Sequence, residues 1–327
     1  PPGPPGRGSA VTLARYVLRR LGLLAVTLFL ISLAISLIMQ LLPGDAAEQV
    51  LGAWAERSGS TLAHMRARLG LDRPWHEQYL GWAVGALRGD LGKSLAMDAP
   101  IAPILFHRLG LSLRLALPAL LLAVLLSLAL GVLAAVRRNT WVDHAIALVT
   151  LSGISVPAFV LASVLILVFA GWLRWLPSSS ALAEGQGLGL WVKVLALPVA
   201  TLTLEALAHM TRMTRSSMIE VLKTPYVRTA ILKGMPRRQV LIRHALRNAL
   251  LPTVTVIAFN FGWMLGGIVI VEQVFNYPGL GSLVLFAIEQ RDLPLLQASM
   301  FFVAAGYCAA NLAADVAYAW LNPRIRY

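Results

Sequence analysis

Thr224-Pro225-Tyr226-Val227-Arg228-Thr229-Ala230-Ile231-Leu232-Lys233-Gly234-Met235-Pro236-Arg237-Arg238, continuing through Arg243-His244-Ala245-Leu246-Arg247-Asn248-Ala249-Leu250-Leu251-Pro252, is a basic, interrupted helical stretch between two strongly apolar ones. The Gly234-Met235-Pro236 break carries the reading. Glycine tolerates the left-handed backbone at a helix end, and proline restarts the next helix. A short helix across a membrane face, turned back into one that feeds the bilayer, can pass a push from a soluble partner to the spans behind it. Val227, Ile231 and Leu232 share one face at helical spacing. An exposed apolar face on such a helix needs lipid or a protein pocket to cover it. Without the glycine break and those apolar positions, the arginines would mark only a basic loop.

The rest of the chain supplies the membrane. It has 327 residues, 58% hydrophobic and 13% charged, with a mean hydropathy of +0.72, against roughly 25% charged in soluble domains. A helix needs about 20 apolar residues to cross the hydrocarbon core. Leu21–Leu42, Leu115–Val136, Ala145–Leu173, Asn248–Val271 and Leu293–Ala314 contain no Asp, Glu, Lys or Arg, and Val194–Thr211 is interrupted only by Glu205. Six spans and an all-α integral membrane protein are therefore expected.

A net charge of +13 invites a nucleic-acid reading, but its distribution follows the positive-inside rule. With the first span running outward, segments 1–20, 137–144, 212–247 and 322–327 hold seventeen Lys/Arg against Asp143 and Glu220. The long first loop is discounted because long loops translocate regardless of charge. The outer side then keeps only Arg174, Lys193 and Arg291. Both termini are expected inside, and no nucleic-acid partner. Cys308, the single cysteine, lies in the last span, which excludes a disulfide framework. Leu21–Leu42 is too long, and lacks a small-residue cleavage site, for a cleaved signal peptide.

These features divide the chain into an inner tail and amphipathic lead-in helix (1–20), a first span (21–42), a large outer loop (43–111) and a core of five spans (112–327) containing the basic segment 212–250. Within the loop, Leu62–Leu69 has helical spacing, and Trp75, Tyr79, Trp82 and Leu87 predict a second short amphipathic helix. Ser152–Pro157 places small residues and a proline inside the third span, which permits close packing and a kink. Trp172, Trp175 and Trp191 mark an interfacial belt.

No motif for intrinsic catalysis emerges. Gly92-Lys93-Ser94 resembles the end of a phosphate-binding loop, but that loop needs a glycine at position 87, which is leucine, and a leading strand. The six histidines fall in no metal-ligand spacing, so neither cofactor nor metal is expected on this chain. Glu205, Asn260, Asn311 and Asp315 lie in or near spans, where ionisable groups usually face a bundle interior or watery cavity. Glu205, Asn260 and Asn311 are candidates to line a translocation path. The local alternative pairs Asn311 and Asp315, four apart, with each other or a neighbouring span.

The segment Tyr226–Ala230, Lys233-Gly234, Arg243–Leu250 and Pro252 resembles the coupling region of ABC-importer permeases of the dipeptide/oligopeptide/nickel family. Arg15–Arg20 with Leu42-Pro43-Gly44-Asp45 is similar to that family's opening. Further matches are Leu69–Pro74 with Gln78-Tyr79, Arg88–Ser94, Glu272, Phe275 and Pro278–Gly281, and the ending Asn322–Arg326. The long first outer loop points to the first of the family's two paired permeases. Arg228-Thr229-Ala230 departs from the acidic-Ala-Ala form of the wider superfamily.

The resemblance implies a type I importer fold in a bacterial inner membrane. Its partners would be a second homologous permease, two cytoplasmic ATPases that bind ATP and Mg, an extracytoplasmic binding protein and membrane lipids. Tyr226, Val227, Arg228, Thr229, Ala230, Ile231, Lys233, Gly234 and Met235 would dock on an ATPase. Asp72, Arg73, Tyr277 and Pro278 would meet the binding protein. Di- or oligopeptides are the favoured cargo, with nickel-chelate, opine and haem importers sharing these motifs. The rival class is a gradient-driven carrier in which Glu205 and Asp315 carry ions.

Overall fold

A computed structural model of the chain describes residues 7–41, 72–181 and 187–321. The expected inner tail at 1–6, the Leu42–Asp45 stop, the Leu62–Leu69 helix, the Leu69-Gly70-Leu71 motif and the 322–327 ending lie outside the described residues.

The chain is helical almost throughout. α1 (Arg7–Leu41) is one 35-residue helix, so no break separates the lead-in helix from the first span. α2 (Trp75–Leu87) is the expected short helix. A small antiparallel pair follows, β1 (Lys93–Ser94) and β2 (Ala99–Pro100), with Lys93 opposite Pro100. Next come α3 (Ile101–Val136), α4 (Trp141–Ser155), and α5 (Ala158–Leu165), which passes into a π-helical turn at Ile166–Trp172. α6 (Leu188–Leu222), α7 (Pro225–Leu232), α8 (Arg237–Gln239), a π-helical turn (Val240–Leu246), α9 (Arg247–Val274), α10 (Leu280–Glu289) and α11 (Leu293–Leu321) complete the order.

Four helices are long and apolar enough to cross a membrane among the described residues, or five if α4 and α5 are one span. α9, at 28 residues, carries no charged residue from 248 to 271. The kink expected near Pro157 is a break. Val156 is extended (φ −96, ψ 123), as a residue preceding proline must be, and the two halves bend by 105°. α3 begins at Ile101, inside the stretch expected to be loop. His107, Arg108 and Arg114 hide this start from a charge-free window, whereas Ile101 and Leu105 are fully buried.

The chain divides into two compact units. One comprises Pro1–Leu24, Arg114–Tyr277 and Tyr307–Tyr327, the other Ala25–Leu113 and Pro278–Gly306. In the first, small residues set helix crossings. A Cβ on Gly131 would lie 2.6 Å from the Thr214 side chain, and one on Gly262 would lie 2.6 Å from the Tyr307 ring. At Gly131 the contact leaves no room for a larger residue, and at Gly262 one would have to displace the Tyr307 ring. In the second, Ile35, Met39, Leu91, Ile101, Leu105, Leu283 and Leu295 form one buried apolar cluster. Tyr79 donates to, or accepts from, Ser32 at 2.8 Å and so ties α2 to α1.

Candidate functional site

The 222–250 segment is shaped by its own backbone chemistry. Thr224 is extended (φ −69, ψ 148) ahead of Pro225, which occupies the first turn of α7. The Thr224 hydroxyl donates to the Val221 carbonyl at 2.5 Å, closing the end of α6. At the far end Gly234 has φ +77. Its N–H donates to Ile231 at 2.9 Å, and the Met235 N–H reaches back to Ala230 at 3.3 Å. Those two bonds are the Schellman ending that a left-handed glycine permits. Pro236 then begins α8, and the Val240 N–H donates to its carbonyl at 3.1 Å.

Eight residues of helix are too few to hold themselves in water, so α7 is pinned by packing. Val227, Ala230 and Val240 form a buried cluster flanked by Val221, Leu222 and Met235. Burying Val227 contributes roughly 1.5–3 kcal/mol. Tyr226 provides a polar pin, its hydroxyl accepting from Asn248 Nδ2 at 2.8 Å. Behind these, Ala245 and Ala249 pack on Met218 and Ala135.

This corrects the face read from the sequence. Val227 does not share a surface with Ile231 and Leu232: it is fully buried, while they are 57% and 79% exposed. The inward stripe is the i, i+3 pair Val227–Ala230, and the neighbouring positions turn out by about 100° per residue. Arg228, Thr229, Lys233, Gly234, Arg237, Arg238, Arg243 and Arg247 are exposed as well. α7 thus leaves two aliphatic side chains uncovered, in a segment that also exposes Ile242 and these cations. A Cβ on Gly234 would meet nothing within 4 Å.

A bidentate ion pair braces the same unit. Arg215 Nε meets Asp143 Oδ1, and its second nitrogen Oδ2, both at 2.7 Å. Oδ2 also accepts the Asn139 N–H at 2.9 Å, so the α3–α4 turn is fixed to α6. No local pattern around either residue points to the other.

The candidate path residues are dispersed in their roles. Glu205 is half-buried on α6, with Gly267 of α9 close enough that its missing Cβ would lie 3.9 Å from Oε2. Asn260 is buried, its Nδ2 donating to the Val256 carbonyl at 2.8 Å, and it lines a crevice with His209 and Arg212. Asn311 is half-buried on α11. Asp315 pairs with Arg20 at 2.8 Å rather than with Asn311.

Of the four candidate contacts for an outside partner, Asp72 and Arg73 are exposed and Pro278 is half-buried. Tyr277 is 1% exposed and offers no side chain to a partner. Its N–H is held by the Glu272 carbonyl at 2.7 Å, and the loop folds inward behind the left-handed Asn276. The Gly92-Lys93-Ser94 stretch has a structural role. Ser94 Oγ donates to Asp292 Oδ2 at 2.5 Å, and the Ala96 N–H donates to the same oxygen at 3.0 Å. The other oxygen caps α11 through the Leu295 N–H at 3.1 Å. Among the described residues no group of three or more His, Cys, Asp or Glu is placed to hold a metal ion.

Residues 127–327 match the family of binding-protein-dependent transport system inner membrane components. Residues 13–116 match the N-terminal part of membrane components of such systems. The probable peptide ABC transporter permease protein y4tP of Sinorhizobium fredii is 39% identical over 312 residues, 95% of this chain and 99% of its own length. The glutathione transport system permease protein GsiC of Escherichia coli matches at the same identity and coverage. A solved amino acid ABC transporter structure aligns with TM-score 0.48 and 15% identity, over 66% of this chain and 94% of its own.

Proposed function

The chain belongs to the family of binding-protein-dependent transport inner membrane components, and from that membership we propose that it is the first of two paired permease subunits in a bacterial importer of di- or oligopeptides. In this reading α9 is the fifth of six spans, with α4 and α5 forming one, both termini are cytoplasmic, and the protein sits in the inner membrane. ATP and Mg bind two partner ATPases, and a binding protein delivers cargo from outside. The peptide assignment is supported by the relatives, one named for peptide and one for glutathione transport.

The observation that carries the coupling role is the exposed Ile231–Leu232 pair, 57% and 79% open, on a helix otherwise locked to its own unit. A cleft on a soluble subunit would cover that pair, and the cations around it would orient the approach. Motion of the ATPase would then travel through Val227–Val240 into α9 and through the α6 end into the spans. A gradient-driven carrier has no use for such a surface, and Asp315, one of its two candidate ion carriers, is engaged by Arg20 at 2.8 Å.

The test is affinity purification of the tagged protein from gently solubilised native membranes, with identification of co-purifying chains. A second permease and two ATPase subunits are expected. A lone chain or homodimer, under conditions that preserve known complexes, would overturn the importer reading.

A further inference from the structure

His209, Arg212 and Ser216, at spacing i, i+3 and i+7 on α6, face Val256, Phe259 and Asn260 of α9 across a crevice of about 420 Å³. That volume falls in the roughly 300–1,000 Å³ range of ligand pockets. The two arginines of this part of α6 differ. Arg215 is committed to Asp143 by two bonds, whereas among the described residues no acidic side chain lines the crevice beside Arg212. Arg212 is exposed, so its guanidinium is open to an anionic ligand. A guanidinium is the side chain best shaped to take a carboxylate by two parallel bonds.

The remaining walls narrow the ligand. Asn260 is buried and commits Nδ2 to the Val256 carbonyl, leaving Oδ1 to accept an N–H. Phe259, 60% exposed, and Val256 offer an apolar surface beside it. A carboxylate acceptor, an amide N–H acceptor and an apolar wall together describe the last residue of a peptide.

We propose that the His209–Arg212–Asn260 crevice receives the terminal carboxylate of peptide cargo. Arg212 would hold the carboxylate, His209 add a donor, and Asn260 accept the adjoining N–H. This rests on the importer reading above and extends it from the cargo class to the cargo's charged end.

The test uses the assembled complex in phosphatidylcholine vesicles. Cys308→Ser removes the chain's single cysteine, and Ser216→Cys places a maleimide-reactive thiol in the crevice wall. The probes are N-acetyl-alanyl-alanine, whose only charge is its carboxylate, and its C-terminal amide. The acid is expected to slow labelling at least about threefold at millimolar concentration, and the amide to leave it unchanged. Arg212→Gln should abolish the protection and Arg212→Lys retain part of it. Equal protection by acid and amide, or none by either, overturns the proposal. If the Arg212→Gln complex fails to assemble, the acid–amide difference alone decides. Protection by added phosphatidylglycerol without peptide would assign the crevice to a lipid phosphate and also overturn it. ATP-driven uptake of dialanine by the same vesicles, supplied with the complex's binding protein, separates the two readings. Uptake without acid-specific protection removes only the carboxylate site, and protection without uptake removes only the importer reading.

Discussion

The Ser94 turn and α7 are both short polar segments attached to long apolar helices, and they are finished in opposite ways. Around Ser94 the polar groups turn inward. Asp292 is fully buried and takes bonds from a hydroxyl and two backbone N–H groups, so its charge is satisfied inside its own unit. On α7 Val227 and Ala230 turn inward, and the charged residues with Ile231 and Leu232 remain outside. One segment is complete as a monomer and the other is complete only when covered. The difference separates a strut from a docking surface better than composition does, since both are polar and both contain a left-handed glycine.

The contrast is most open to disproof at Asp292. Asp292→Ala removes the cap of α11 and leaves Ser94 and the Ala96 N–H without their acceptor. Thermal unfolding in detergent should show a loss of about 3–4 kcal/mol. A loss under about 1 kcal/mol would mean that water replaces the carboxylate and that the strut is not one. Asp143→Ala should cost about 1–2 kcal/mol, less than a fully buried pair because Arg215 still reaches solvent. A double-mutant cycle with Arg215→Ala measures the coupling directly.

Within α7 the two faces should respond differently. Val227→Ala should lower stability by roughly 1.5–2 kcal/mol. Leu232→Ala should leave unfolding unchanged within about 0.5 kcal/mol yet reduce ATP-driven uptake severalfold in the assembled complex. Equal unfolding losses for the two would erase the distinction. A small stability change is also expected for Gly234→Ala, about 1 kcal/mol for a methyl group set on a left-handed backbone in open space. A bulkier Gly234→Trp should add little further unfolding cost but should block uptake, and unimpaired uptake would remove the docking role from that turn.

What can be read in advance follows the range of the interactions. The Gly234 turn, the Pro236 restart, α2 and a bend near Pro157 are local, decided by a few adjacent residues, and all are legible, although the bend is sharper than the expected kink. The outward face of α7 is half legible, because a one-residue error rotates a side chain by about 100° and puts Val227 on the wrong side. Ser94 and Asp292 are 198 positions apart, and nothing in either neighbourhood names the other. Shorter but still non-local separations hide Arg215–Asp143, 72 positions apart, and the facing of Arg212 with Asn260. Tyr277 misleads for another reason: an aromatic in a loop motif looks available, and only packing shows it buried. The charge-free windows locate spans but misplace their ends, since α3 and α6 continue past charged residues.

The π-helical turn at Val240–Leu246 has a mechanical consequence. A π turn closes its bonds over five residues instead of four, so the helical phase before Val240 is offset from the phase after Leu246. That offset lets Val240 look toward α7 while Ala245 and Ala249 look toward Met218. Deleting one residue within the turn would restore an ordinary helix and swing one of these faces away from its neighbour. The surplus residue acts as a spacer that keeps two surfaces in register at once. Length at this point of the chain is therefore constrained more tightly than identity.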